Sequence, residues 1–192
     1  MPRQGLSREQ VIQAAADLIE EKGIPRFSMG ELARRLQIKP ASLYNHIESI
    51  EQLLALVGKD AVRRLTALEK EAIAGKNGQK ALFALAQVYR LFAREHYQLY
   101  RLIMAFPRWD NPMLEQEAGE IVSPILQVLS DYGLTNEQQY HWQRVLRAEM
   151  AGFAFHEQAG GFSHFPVDPE ESFRIAIQCL SDGLCRAGGA GL

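Results

Sequence analysis

The sequence predicts an all-α fold, and three features of its 192 residues lead to this prediction. Apolar residues recur every three or four positions along most of the chain, which is the spacing of one helix face. Capping residues and Gly or Pro breaks divide the chain into segments of helical length. No segment shows the alternation of apolar and polar residues that is typical of a strand.

The first helix is predicted over residues 7–22. Ser7 and Gln10 have the spacing of a capping box, and Gly23 is a typical C-terminal stop. We expect this helix to form a small three-helix domain with the two that follow. Its inward stripe consists of Val11, Ala14, Ala15, Leu18 and Ile19.

Residues 28–47 predict two short helices joined by a tight turn, which is a helix-turn-helix. Ser28 is expected to cap the first helix, and Pro40 suits the first turn of the second, where its missing N–H leaves nothing unpaired. At Gln37, in the turn, a left-handed backbone would cost roughly 1 kcal/mol more than at a glycine. The apolar residues that hold the two helices together are Leu32, Leu36, Ile38, Leu43 and Ile47.

The second of these helices has the form of one that enters the DNA major groove. Its outward side chains are the candidate DNA contacts, namely Lys39, Ala41, Ser42, Tyr44, Asn45 and His46. Ser28 and Arg3 are counted with them. Two short helices with a short connection also occur in other helical domains, so periodicity alone leaves DNA binding and ordinary packing open.

The charge of the chain places a modest positive excess on this region. Residues 1–47 carry seven Lys or Arg against five Asp or Glu, giving +2, whereas the remainder carries −4 and the whole chain −2. DNA affinity therefore depends on where the basic residues lie and on a dimer doubling the phosphate contacts. The basic residues near the expected DNA face are Arg3, Arg8, Arg26, Arg34, Arg35 and Lys39. Arg34 and Arg35 are equally open to interpretation as a solvated helix surface.

Six further helices are predicted after residue 47. Capping residues begin them, and Gly75, Gly133 and the pair at 160–161 are among the breaks between them. The predicted helices cover residues 49–74, 79–94, 97–106, 111–133, 135–158 and 169–187.

Residues 7–57 resemble the TetR/AcrR family of transcriptional regulators. The motifs that carry the resemblance are AA-x-x-LI-x-x-KG at 14–23, Phe27-Ser28-Met29, ELARRL at 31–36, SLYNHI at 42–47 and LL at 53–54. The resemblance implies that Lys39, Ala41, Ser42, Tyr44 and His46 contact bases and phosphates. The segment Ser49-Ile50-Glu51 departs from the pattern, because it lacks the lysine with which many relatives contact phosphate.

The resemblance also implies the division of labour along the chain. We expect a DNA-binding domain at 1–47 and a helical ligand-binding and dimerisation domain at 48–192, with the helix at 49–74 as the connector. The implied function is that of a ligand-responsive regulator, a homodimeric repressor that a small apolar or amphipathic effector releases from a palindromic, double-stranded operator. The competing hypothesis is a helical small-molecule binding or catalytic protein that does not read DNA.

The middle helices contain the candidate ligand pocket. Aromatic and sulfur side chains are concentrated between residues 83 and 113, a composition expected of an apolar pocket, although several of them would fill space in any helical bundle. The side chains assigned to the pocket are Tyr89, Phe92, Tyr100, Met104, Phe106 and Trp109.

The last two helices are the candidate dimer interface. Residues 151–162 and the final helix resemble a TetR subgroup named for a Trp-His-Gly signature, of which Gly152 supplies the glycine while Ala151 occupies the histidine position. Apolar stripes with small residues allow close helix packing, either with a second copy or within the core. The residues assigned to the interface are Ala148, Gly152, Phe155, Ile177, Leu180 and Leu184.

The sequence does not predict an enzyme. His156-Glu157 lacks the second histidine of a zinc-protease motif, and phosphate-binding loops and nucleophile elbows are absent. The five histidines are scattered, so we expect no metal, no cofactor and no catalytic residue. Cys179 and Cys185 are predicted to be buried thiols rather than a disulfide.

No apolar run approaches the roughly 18 residues that span a bilayer, and the first twenty residues do not form a secretory signal. We therefore expect no membrane partner and a cytoplasmic location.

Overall fold

The structure is a computed structural model that describes residues 6–105 and 119–189. Within these residues the regular structure is helical and contains no strand, which confirms the predicted fold class. The helices are α1 (Arg8–Lys22), α2 (Met29–Arg35), α3 (Pro40–Leu43), α4 (Ile50–Ile73), α5 (Gly78–Glu95), α6 (Tyr97–Ala105), α7 (Ser123–Leu129), α8 (Asn136–Gln158) and α9 (Pro169–Ala187). Short 3₁₀ helices cover Ile24–Arg26 and Ser130–Tyr132.

Contacts along the chain group into two compact units. The first unit comprises Met1–Val62 and His96–Glu117, and the second comprises Arg63–Glu95 and Ala118–Leu192. Helix α4 is continuous and contributes its first half to the first unit and its last three turns to the second. The domain division at residue 47 stays a prediction.

Helix α1 of the first unit begins and ends where its capping signals predict. The Ser7 hydroxyl accepts a hydrogen bond from the Gln10 amide at 3.2 Å, and the Gln10 side chain accepts one from the Ser7 amide at 2.8 Å. Gly23 ends the helix with a φ of 78°, a conformation that favours glycine. Val11 and Ile19 are fully buried, and the helix packs against α2 and α6.

In the second unit, α5 is the central helix and packs against α7, α8 and α9. Its Leu82 and Leu85 are fully buried, as is Leu146 of α8. The Thr135 and Gln138 side chains form the predicted capping box at the start of α8. The Asp168 carboxylate accepts a hydrogen bond from the Glu170 amide at 2.9 Å and so caps α9.

Two predictions about this unit are wrong. The helix predicted over 111–133 does not run unbroken, because α7 starts afresh at Ser123 with Pro124 in its first turn, where a missing N–H cannot continue a preceding helix. Residues 111–118 of that prediction lie outside the described residues. The predicted burial of the cysteines also fails, because Cys179 is exposed on the outer side of α9 and Cys185 is half-buried.

Candidate nucleic-acid interface

Helices α2 and α3 pack against each other and form the predicted helix-turn-helix. Ser28 caps α2, since its hydroxyl accepts a hydrogen bond from the Glu31 amide at 3.3 Å. The Glu31 carboxylate pairs with the ammonium of Lys22 at the end of α1, and this hydrogen bond lowers the pKa of Glu31. The ion pair joins α1 to the helix-turn-helix.

The turn between the two helices contains a left-handed residue, at the position where such a backbone costs more than at a glycine. Gln37 has a φ of 56°, and it is the one non-glycine residue with a positive φ in the described part of the chain. Its amide donates to the Arg34 carbonyl at 3.1 Å, and the Ile38 amide donates to the Ala33 carbonyl at 3.0 Å. These two bonds form a Schellman motif, which ends α2 and sets the direction in which the chain enters α3.

Helix α3 is shorter than the sequence predicts. Pro40 occupies its first turn as expected, but the α-helix ends at Leu43. The chain continues in hydrogen-bonded turns, in which the His46 and Ile47 amides donate to the Leu43 carbonyl at 2.9 and 3.1 Å. Tyr, Asn and His have modest helix propensity, which accounts for the early end.

The apolar side of the helix-turn-helix is buried largely as predicted. Leu32 and Leu43 are fully buried, and Ile47 is 2% exposed. Leu36 and Ile38 are half-buried. These contacts fix the orientation of α3 and leave its other side outward.

The outward side of α3 and its flanking turns, residues 39, 41, 42 and 44–46, is called the reader surface below. Lys39, Ala41, Tyr44 and Asn45 are exposed, whereas Ser42 and His46 are half-buried. The Tyr44 side chain is 57% exposed, which is high for a large aromatic residue. Ser28 is exposed, although its hydroxyl is engaged in the cap, and Arg3 lies outside the described residues.

The basic residues near the reader surface differ in how they are paired. The guanidinium of Arg35 donates to both carboxylate oxygens of Glu21, at 2.8 and 2.9 Å. Arg34 is 77% exposed and lies 3.9 Å from Glu31. Lys39 has no ion pair among the residues that the structure describes. The sequence did not indicate the Arg35 pair, because its partners are separated by fourteen positions on different helices.

The residues assigned to a ligand pocket fall in different parts of the chain. Tyr89 and Phe92 are buried on α5 of the second unit. In the first unit, Tyr100 of α6 is buried and Met104 is 46% exposed. Phe106 and Trp109 lie outside the described residues. Their common pocket stays a prediction.

The residues assigned to the dimer interface separate into two groups. Ala148 and Phe155 of α8 are exposed, while Gly152 and Leu180 are half-buried. Ile177 and Leu184 of α9 are fully buried inside the second unit, so they support this surface from within the protomer. Periodicity could not separate the two groups, because apolar residues on the buried and on the outer side of a helix recur at the same spacing. Val145 and Ile175 add two exposed apolar side chains on the same helices.

Residues 6–105 and 119–189 contain neither a membrane-spanning helix nor a candidate metal cluster. No helix among them has both the length and the apolar character needed to cross a bilayer. No cluster of three or more His, Cys, Asp or Glu side chains suited to a metal ion is found there.

Comparison with known sequences gives two curated relatives that match most of the chain. One is the HTH-type transcriptional regulator Rv0681 of Mycobacterium tuberculosis, 27% identical over 94% of this chain and 83% of the relative. The other is the HTH-type transcriptional regulator YobS of Bacillus subtilis, 26% identical over 95% of each chain.

Comparison with solved structures shows the same fold. A protein of unknown function from Rhodococcus sp. RHA1 is similar with a TM-score of 0.84 and 20% identity, over 96% of this chain and 99% of the other. BioQ with its double-stranded DNA operator has a TM-score of 0.69 and 22% identity, over 94% and 99%. A TetR variant from Acinetobacter baumannii AYE in complex with minocycline has a TM-score of 0.70 and 19% identity, over 95% and 98%.

Two family models match the chain in the order of its parts. The model described as bacterial regulatory proteins of the tetR family matches residues 11–57, which include the helix-turn-helix. The model described as the tetracyclin repressor-like C-terminal domain matches residues 82–180, just over half of the 192 residues. The protein therefore belongs to the tetR family of bacterial regulatory proteins.

Proposed function

We propose that the protein is a transcriptional repressor that binds operator DNA through the reader surface and leaves it when a small molecule binds. The observation that carries this proposal is the exposure of Lys39, Ala41, Tyr44 and Asn45 on α3 and its flanking turns, where fully buried Leu43 anchors the other side. A short, rigidly held helix with small and polar outward residues suits entry into the major groove.

The reader surface offers different contacts along its length. Ala41 is exposed and small, so the first turn of α3 can approach base edges closely. The Tyr44 hydroxyl is suited to donate to a phosphate, and the unpaired Lys39 ammonium to neutralise another. Asn45 offers an amide that can pair with a base edge or a phosphate.

A single short helix reads few base pairs, and a two-fold dimer would double that number on a palindromic operator. We therefore propose that the protein binds DNA as such a dimer. The outer surface of α8 and α9 supports this part of the proposal. It carries the exposed side chains of Val145, Ala148, Phe155 and Ile175, and Gly152 has no atom within 4 Å of a Cβ built on it. A partner helix can therefore approach closely at Gly152.

The proposed role on bacterial DNA also implies a cytoplasmic location.

Release by an effector requires that the ligand bind better to a conformation that does not match the operator. Helix α4 is the proposed lever, because it begins at Ile50, shortly after α3, and runs unbroken to Ile73 of the second unit. A differential affinity of about 1–3 kcal/mol would change operator affinity roughly 5–150-fold. The proposed effector is apolar or amphipathic, and the minocycline complex of the TetR variant is a precedent for a bound small molecule in this fold.

The test is a fluorescence-anisotropy titration against DNA taken from upstream of the protein's own gene. We expect Lys39→Ala to make the log–log dependence of affinity on salt shallower by up to about 1 per protomer. Lys80→Ala, which changes an exposed lysine of α5, serves as the control and should leave the slope unchanged. If the chain binds no bacterial DNA fragment more tightly than DNA of random sequence, the result would instead favour the hypothesis of a helical small-molecule binding protein.

A further inference from the structure

Four side chains of the second unit have buried polar atoms without a hydrogen-bond partner among the described residues. The atoms are the hydroxyls of Thr66 and Ser123, both carboxylate oxygens of Glu69 and the amide oxygen of Gln143. Thr66 is 5% exposed, and Glu69 is fully buried. A buried polar group without a partner costs about 1–3 kcal/mol, so a fold rarely retains several of them without a reason.

Three of these side chains lie on two helices. Thr66 and Glu69 are three residues apart on α4, and Gln143 and Arg147 are four apart on α8, so each pair shares a helix face. The charge of Arg147 acts on the Glu69 carboxylate and favours its ionised form. Arg147 is therefore near enough for its charge to act on Glu69, although no ion pair of 4.0 Å or less joins the two among the described residues.

Burial outweighs the effect of Arg147 and raises the pKa of Glu69 to about 8. At pH 7 the free protein thus holds this carboxyl group largely protonated. A bound positive charge would reverse that preference, because an opposite charge at hydrogen-bond distance favours the carboxylate.

We propose that Thr66, Glu69 and Gln143 form the polar end of the effector site and bind the protonated amino group of an organic cation. This inference rests on the proposed ligand-responsive function and names the chemical class of its effector. All the unpartnered atoms are oxygens, and an ammonium group supplies up to three N–H donors for them. A neutral alcohol supplies one donor, and a carboxylate would add negative charge beside Glu69.

The test is isothermal titration calorimetry of the full chain, without DNA, using three probes of similar shape. The probes are phenylbutylamine, phenylbutanol and phenylbutyrate, which are a cation, a neutral molecule and an anion. We expect the amine to bind about tenfold or more tightly than the alcohol, as for one charge-assisted hydrogen bond. Repeating the titration in buffers of different ionisation enthalpy should show release of up to one proton at pH 7.

Glu69→Gln should abolish both the proton release and the preference for the amine, while leaving the affinity for the alcohol unchanged. Glu71→Gln, which changes an exposed glutamate of the same helix, is the matched control and should bind as the native chain does. Glu69→Gln should also unfold at an equal or higher temperature, because it removes a buried ionisable group. A large loss of thermal stability would show that the carboxyl group is structural and would overturn the proposal.

Three other results would also overturn the proposed cation site. They are equal affinity for the amine and the alcohol, no saturable binding of the amine, and a Glu69→Gln variant that still prefers the amine. An anisotropy titration with operator DNA separates this inference from the proposed function. Amine binding that leaves operator affinity unchanged would refute release by the effector while leaving the cation site established. Operator binding without amine binding would refute the cation site alone.

Discussion

The guanidinium of Arg90 holds the carboxylate of Glu157 through two hydrogen bonds of 2.8 Å, from Nε to Oε2 and from Nη2 to Oε1. A third hydrogen bond of 2.6 Å joins Nη1 to Glu170. The rings of Phe153 and Phe173 lie against the guanidinium, with centroids 5.1 and 4.8 Å from its central carbon. Arg90 is 4% exposed and thereby ties α5 to α8 and α9.

Removal of this arginine should destabilise the second unit. Arg90→Ala leaves Glu157 without its main partner and opens a space beside the two rings, for a cost of about 3 kcal/mol in the free energy of unfolding. Urea denaturation measures the change. Arg94→Ala is the control, because Arg94 is 48% exposed and its guanidinium lies 3.9 Å from the same carboxylate, which is longer than a hydrogen bond. Its expected cost is below about 1 kcal/mol, and equal losses for both variants would contradict the account.

Glu69 should make the stability of the chain fall as pH rises. Its pKa is about 8 in the folded chain against an ordinary value of 4.5, so the folded state binds more protons between these two values. The free energy of unfolding therefore declines from pH 4.5 towards pH 8, by an amount on the order of 4 kcal/mol. Urea denaturation at several pH values should show this decline in the native chain and lose it in Glu69→Gln. Parallel pH profiles for the two proteins would be inconsistent with a buried, titrating Glu69.

Two glycines of the last helices should respond in opposite ways to alanine. A Cβ at Gly183 would lie 2.8 Å from Cη2 of Trp142, closer than real contacts allow, so Gly183→Ala should cost about 1–3 kcal/mol. Gly152 has open space, and Gly152→Ala should raise helix stability within the protomer by up to about 1 kcal/mol.

The same position tests the proposed dimer. Gly152→Glu places a charge on the outer surface of α8, where the protomer has room for it. We expect light scattering to show a folded monomer, because the charge would be buried unpaired against a partner helix. An intact dimer in Gly152→Glu would place the interface elsewhere.

Much of the fold was predictable because its signals are local. The caps at Ser7 and Thr135 bind amides three residues away, within one helical turn. The break before α7 was missed because Pro124 stands inside a segment that is otherwise apolar and helical in period.

The candidate sites were less predictable because they depend on contacts that are distant in sequence. Arg90 and Glu157 are separated by 67 positions, and no spacing rule pairs them. Glu69 is fully buried and Glu71 is exposed. Because both are glutamates in a region of mixed polarity on one helix, the sequence does not show which of them is buried. The exposure of Ala41, Tyr44 and Asn45 was predictable because the apolar residues Leu43 and Ile47 define the buried side of this segment.

Loss of the Tyr44 hydroxyl should weaken DNA binding without changing stability. Tyr44→Phe removes one hydrogen bond to a phosphate, so affinity for all sequences should fall by about 0.5–1.5 kcal/mol, or roughly 2- to 12-fold. Tyr140→Phe is the matched control, because Tyr140 is also 57% exposed but lies on α8. Unchanged affinity in Tyr44→Phe would remove this hydroxyl from the phosphate contacts.

The most direct test of the central claim is the ratio of affinities for operator and scrambled duplexes of equal length and composition, at one fixed salt concentration. Anisotropy titration of the native chain should give a ratio of about 10³ or more, since reading of base edges discriminates while phosphate contacts do not. The operator should be a palindrome whose half-sites lie one helical turn or a multiple apart. A ratio near one for every upstream fragment tried would contradict the account, because the reader surface would then bind DNA only as a charged surface.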